Sequence, residues 1–148
     1  MNQVDCCCEG VDVLLLPFQQ MAEQILRLLS LEQVELSIVL CDNAFIHPLN
    51  RDYRGKDQPT DVLSFSQREG GDPEDPMLGD VIISIERATE QAADHDNSIS
   101  AELSLLLVHG ILHLLGYDHE EDEEAEMMEA KEKEILCQLD VECFSFLG

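Results

Sequence analysis

Along the chain, apolar positions fall into runs with two different periods. In 17–29, PFQQMAEQILRLL, Phe18, Met21, Ile25, Leu28 and Leu29 recur at helical spacing, which predicts a first helix opened by Pro17. The run VDVLLL at 11–16 ahead of it reads as a short strand. In VELSIVL, 34–40, polar and apolar residues alternate before an apolar end, predicting a strand with one well-buried face. Cys41-Asp42-Asn43 reads as a turn and helix cap. A short helix in AFIHPLNRDYRG follows, limited by Pro48 and closed by Gly55. DVLSFS and LGDVIISI are the third and fourth strands, separated by a polar surface loop, QREGGDPEDPM. A helix from Glu86 to Ala93 precedes one at roughly Ala101 to Leu115 that is apolar nearly all round, and so belongs at the centre of the domain. Gly116 ends it as a left-handed residue. EEDEEAEMMEAKEKEILCQL predicts a last helix with Met127, Met128, Ile135 and Leu139 as its apolar contacts. No repeat or linker divides the pattern, so residues 1–148 read as one domain, a length that can bury a core unaided.

Charge narrows what such a domain can bind. The net charge is −24, from 32 acids against 8 Lys and Arg, and that surface repels phosphate backbones unless a local basic patch or a bridging cation intervenes. Arg51, Arg54 and Lys56 form such a cluster, whereas no Lys or Arg lies between Arg87 and Lys131. An anionic ligand is therefore expected to meet the first half of the chain. No apolar run approaches the roughly 20 residues that cross a bilayer, and the start MNQVDCCCEG has no export signal. The expectation is a cytoplasmic protein with reduced thiols and no membrane partner. Cys6, Cys7 and Cys8, being adjacent, are poorly spaced to wrap one ion.

The chemistry concentrates in VHGILHLLGYDH, 108–119. His109 and His113 stand four apart, on one face of a helix, and can aim at a common point. Gly116 lets the backbone turn, and His119 is close enough to return as a third ligand. Three neutral imidazoles with one open position are the ligand set of a catalytic zinc site rather than a closed structural one. The competing reading, three core histidines, requires a separate buried partner for each. The related H-E-x-x-H pattern of zinc peptidases has a glutamate base after the first histidine; here Gly110 stands there, which argues against peptidase chemistry. Asp118 could orient a histidine or cap the last helix. His47 and His95 have no such setting and read as ordinary surface or loop residues.

HGILHLLGYDH, together with RDYRGKDQPTDVLSF, LGDVIIS and an M-x-x-x-E-x-x-IL pattern in the final helix, resembles the YbeY family of rRNA maturation factors, which are metal-dependent endoribonucleases. Roughly two thirds of the chain carries the resemblance, in the same order, and the first forty residues match only in outline. It implies a zincin-like α+β single domain, a mixed sheet of about four strands packed with about five helices, with one zinc ion held by His109, His113 and His119. It also implies single-strand-specific cleavage of RNA in ribosome biogenesis and quality control, including maturation of the 3′ end of small-subunit (16S) rRNA. The family's functionally important arginine maps to Arg54. Partners implied are rRNA and the ribosome, small-subunit ribosomal proteins and an Era-type GTPase. Ser66 stands where the family commonly has a proline.

On the residues alone, Arg54 has two readings: a forked donor to a scissile phosphate, with Arg51 and Lys56 holding neighbouring phosphates, or an ion pair with Asp52 or Asp57. The acidic surface further suggests that substrate is presented on a ribosome or by a partner. Two competing functions remain: a non-catalytic ribosome assembly factor braced by zinc, and a hydrolase of some other small substrate. A fourth protein ligand, Asp118 or a cysteine, would close the site and favour bracing.

Overall fold

The computed structural model describes residues 2–67, 76–117 and 121–139. Within them lie four strands and five helices: β1 (Gln3–Glu9), α1 (Leu16–Leu28), β2 (Glu35–Cys41), α2 (Asn43–Arg54), β3 (Val62–Ser66), β4 (Met77–Ser84), α3 (Ile85–Asp94), α4 (Ile99–Leu114) and α5 (Asp122–Gln138). The sheet runs β1-β2-β4-β3, parallel except for the antiparallel β3–β4 pair. This is an α+β domain with a mixed four-stranded sheet, as expected.

β4 is central and nearly wholly buried, which is why LGDVIIS carries almost no polar alternation. Successive strand residues point to opposite faces. Val81 and Ile83 accordingly join the main core beneath α1, α4 and α5, while Ile82 joins Leu63, Cys41 and Ile46 under α2. Helices thus cover both faces, and β3 is left as an edge strand with α2 on one side and α4 on the other. That arrangement later builds the groove. The buried ring of Leu103, Leu107, Val108, Ile111 and Leu112 explains α4's all-round apolarity. Among the described residues no single helix is long and apolar enough to cross a membrane.

Three expectations need correction. VDVLLL is not a strand; the first strand lies earlier, at QVDCCCE, where Val4, Cys6 and Cys8 face the core at a period of two and Cys7 is exposed. Reduced cysteines pack there as small apolar side chains. Residues 11–15 form no strand, although Val11, Val13 and Leu15 still pack against the core. Pro48 does not limit α2, which continues to Arg54. The proline forfeits one helical hydrogen bond, while the two ends are well held. Asp42 accepts from the Phe45 amide at 2.9 Å, and Gly55, at φ +71°, takes the left-handed C-terminal position. Finally, Met127 is 65% exposed, while Met128, Ile135 and Leu139 are buried as expected. Most of the predicted surface loop, 68–75, lies outside the described residues.

Candidate active site

α4 presents His109 and His113 on one face, as an i, i+4 pair should. Their Nε2 atoms lie 3.0 Å apart, with the rings nearly perpendicular at 78°. Two imidazole nitrogens bound to one tetrahedral ion at about 2.05 Å would be separated by about 3.3 Å, so the pair needs a shift of only a few tenths of an ångström to share one. The His109 Nδ1–H donates to Glu132 Oε1 on α5 at 2.5 Å. A carboxylate can only accept, which assigns the proton to Nδ1 and turns the Nε2 lone pair toward His113. In the absence of an ion, His113 Nε2–H can donate to that lone pair; in its other tautomer His113 turns a second lone pair to the same point, where a cation can take the place of the shared proton. The chemistry of the donor set therefore fits a divalent transition ion.

Gly110 lies between the two histidines, on the side of α4 that meets the sheet. A Cβ there would stand 2.7 Å from Val81 Cγ1 and 3.2 Å from Ser64 Oγ. The Ser64 hydroxyl donates to the Gly110 carbonyl at 2.9 Å, clamping α4 to the edge strand. No glutamate could occupy this position, and one placed there would point into the β3–β4 pair rather than at the histidines. Its absence thus reflects packing as well as chemistry. After Leu114 the chain turns at Gly116, whose φ of +98° suits glycine.

The histidines open on a groove of about 740 Å³ whose floor is β3, residues Val62 to Ser66. Its opposite wall is the C-terminal end of α2, where Asn50, Tyr53 and Arg54 share a helix face, followed by Lys56. Arg54 and the histidine pair, 55 positions apart in sequence for His109, therefore line one cavity. The two readings of Arg54 also separate. Asp52 is taken by Arg51 at 3.0 Å and Asp57 by His47 at 2.8 Å. The Arg54 guanidinium and the Lys56 ammonium make no ion pair or side-chain hydrogen bond with any described residue, although the Lys56 backbone bonds to Asn50 and Gln58. Arg51 does not line the groove, so the expectation that it holds a neighbouring phosphate falls to Lys56 alone.

Asp118 and His119 lie outside the described residues, and among the described residues no third His, Cys, Asp or Glu completes a metal-binding group. None of the described cysteines lines the groove. His47 and His95 are elsewhere, the latter 3.2 Å from buried Glu102. Glu132 is the glutamate of the M-x-x-x-E-x-x-IL pattern, which by itself assigns that residue no role. It is hidden in an acidic run, but it follows Met128 by four and precedes Ile135 by three, and so is the acid on the buried stripe of α5. Tyr53, part of the RDYRGKD motif but without a role read from it, stands with its ring against Phe65, centroids 5.0 Å apart.

Comparison with known proteins adds the following. A family model described as Endoribonuclease YbeY matches residues 11–140. Proteins named Endoribonuclease YbeY are 50% identical over 114 residues in Pelotomaculum thermopropionicum, covering 74% of this chain and 75% of that one. The identity is 54% over 113 residues in Geobacillus thermodenitrificans, covering 71% and 72%. In Bacillus subtilis it is 49% over 113 residues, again covering 71% and 72%. The solution structure of TM1509 from Thermotoga maritima is similar at a TM-score of 0.62 and 28% identity, over 92% of this chain and 87% of that one.

Proposed function

The chain belongs to the Endoribonuclease YbeY family, and from that premise we propose that it is a zinc-dependent, single-strand-specific endoribonuclease that processes rRNA in ribosome biogenesis, including the 3′ end of the small-subunit rRNA. The observation that carries the reading is the groove itself, where an arginine whose side chain has no partner among the described residues shares one cavity with a converging histidine pair. His109, His113 and His119 are the proposed ligands. When bound, zinc supplies Lewis acidity toward a phosphoryl oxygen and makes water a usable nucleophile near neutral pH.

This chain's residues do the rest. Glu132 holds the His109 ring and its tautomer, so that Nε2 faces the site before any ion arrives. Arg54 offers a planar fork of donors to the scissile phosphate and to the charge that develops on it. Lys56 holds an adjacent phosphate. Because neither cation is neutralised by a described carboxylate, both are available in a protein whose surface otherwise repels RNA. Presentation of the strand on a ribosomal particle, with small-subunit proteins and an Era-type GTPase as partners, fits that charge distribution.

The bracing alternative requires a closed site, and an open groove lined by no described cysteine favours catalysis instead. The test is cleavage of a short oligoribonucleotide, single-stranded or annealed, by the zinc-loaded protein. Single-strand cleavage should fall about 100- to 1,000-fold in Arg54→Ala with zinc content unchanged, the usual cost of losing a donor to transition-state charge. Equal cleavage by Arg54→Ala would remove Arg54 from the mechanism. Equal cleavage of the duplex would remove the strand preference.

A further inference from the structure

We propose that Tyr53 is a stacking platform for an unpaired nucleobase next to the scissile phosphate, and that this subsite is what makes the groove select single strands. The inference rests on the nuclease reading and adds a ligand subsite to it. Tyr53 is 68% exposed, an unusual position for an aromatic side chain in a chain with only 5% aromatic residues. It lies immediately before Arg54 and lines the same groove. Phe65, on the edge strand, meets the ring at an interplanar angle of 67° with centroids 5.0 Å apart, so the ring is braced rather than free to swing. Edge-to-face bracing of this kind is favourable in itself and holds the ring in one orientation.

Arg54 and Lys56 beside it can bind phosphate, but phosphates are common to single and double strands and carry no strand preference. An exposed aromatic face does carry one. A base can lie on it only when it has left its own stack, and every base has a π-face, so the platform is strand-selective without being sequence-selective. The order along the chain, Tyr53, Arg54, Lys56, then matches a base, its phosphate and the next phosphate. Cation–π attraction between Arg54 and the stacked base adds to the same arrangement.

A six-nucleotide single-stranded oligoribonucleotide carrying 2-aminopurine serves as the probe, mixed rapidly with zinc-loaded protein at about 0.15 M salt, where charges beyond roughly 8 Å are screened. Binding should quench the 2-aminopurine. Tyr53→Phe should bind within about twofold of wild type. Tyr53→Leu keeps an apolar contact for Phe65 but has no π-face. It should bind about tenfold more weakly or worse, the low-to-middle range for one stacked base, and should lose the quench. Its KM should rise more than its kcat falls, and its zinc content and thermal midpoint should be unchanged. If Tyr53→Leu binds and quenches like wild type while wild type cleaves the strand, the platform is refuted and the nuclease reading stands. If wild type neither binds nor cleaves the probe, both fail together.

Discussion

Substituting Gly110 by alanine tests how the histidine pair is held. Two effects oppose each other. In a helix interior, alanine is favoured over glycine by about 1 kcal/mol. Against that, the new methyl would lie 2.7 Å from Val81 Cγ1, about 0.7 Å inside ordinary contact, and 3.2 Å from the Ser64 hydroxyl that clamps α4 to β3. Val81 is fully buried on the central strand and has no space to retreat into, and overpacking of this kind costs about 1–3 kcal/mol. The expected net effect is destabilisation of up to about 2 kcal/mol, read by urea denaturation at fixed zinc concentration. The displaced helix should also bind zinc more weakly. Val81→Ala removes the obstructing methyls, so in the double variant the two substitutions should couple favourably by about 1 kcal/mol or more. A Gly110→Ala protein about 1 kcal/mol more stable than wild type would refute the reasoning, because helix propensity would then act without any steric opposition.

Glu132→Gln should lower zinc affinity about 10- to 100-fold in chelator competition, with the fold intact, since an amide orients the imidazole less firmly than a carboxylate. An unchanged affinity would mean that the His109–Glu132 pair is only structural. The Cys41 thiol, buried and beside Asp42 and Glu86, is pushed up to about 12, first by burial and then by those carboxylates. Its folded form therefore keeps a proton that the unfolded chain has released, so this contribution to stability is complete below about pH 9 and is lost as pH rises toward about 12. The denaturation midpoint of Cys41→Val should fall less steeply than that of wild type across that window. Parallel curves would show that other groups govern the alkaline loss.

Much of this was legible from period alone. The 3.6-residue spacing in 17–29 and the apolar density around 103–115 located α1 and α4 to within two residues, because both helices bury what the pattern says they bury. β1 was misplaced because cysteine was read for its chemistry, whereas at Cys6 and Cys8 it acts as a small core residue. Pro48 misled because its single lost hydrogen bond is outweighed by the caps at Asp42 and Gly55. For the site, helical spacing was enough to bring His109 and His113 together. Joining Arg54 to them is tertiary information: it depends on β3 being an edge strand with α2 and α4 on opposite faces, and no local pattern encodes strand order. Glu132 shows an intermediate case: the M-x-x-x-E-x-x-IL pattern contains it, but its contact with His109 exists only once α4 and α5 pack together.

In the proposed mechanism Arg54 acts across the groove from a cation held by the α4 histidines. The most direct test is to compare wild type, Arg54→Ala and His113→Ala in cells that depend on this chain for rRNA processing, with the zinc content of each purified protein measured by elemental analysis. Arg54→Ala should accumulate unprocessed rRNA while retaining zinc, and His113→Ala should lose both rRNA processing and zinc. Normal processing in Arg54→Ala, or in a His113→Ala protein that holds no zinc, would contradict that mechanism.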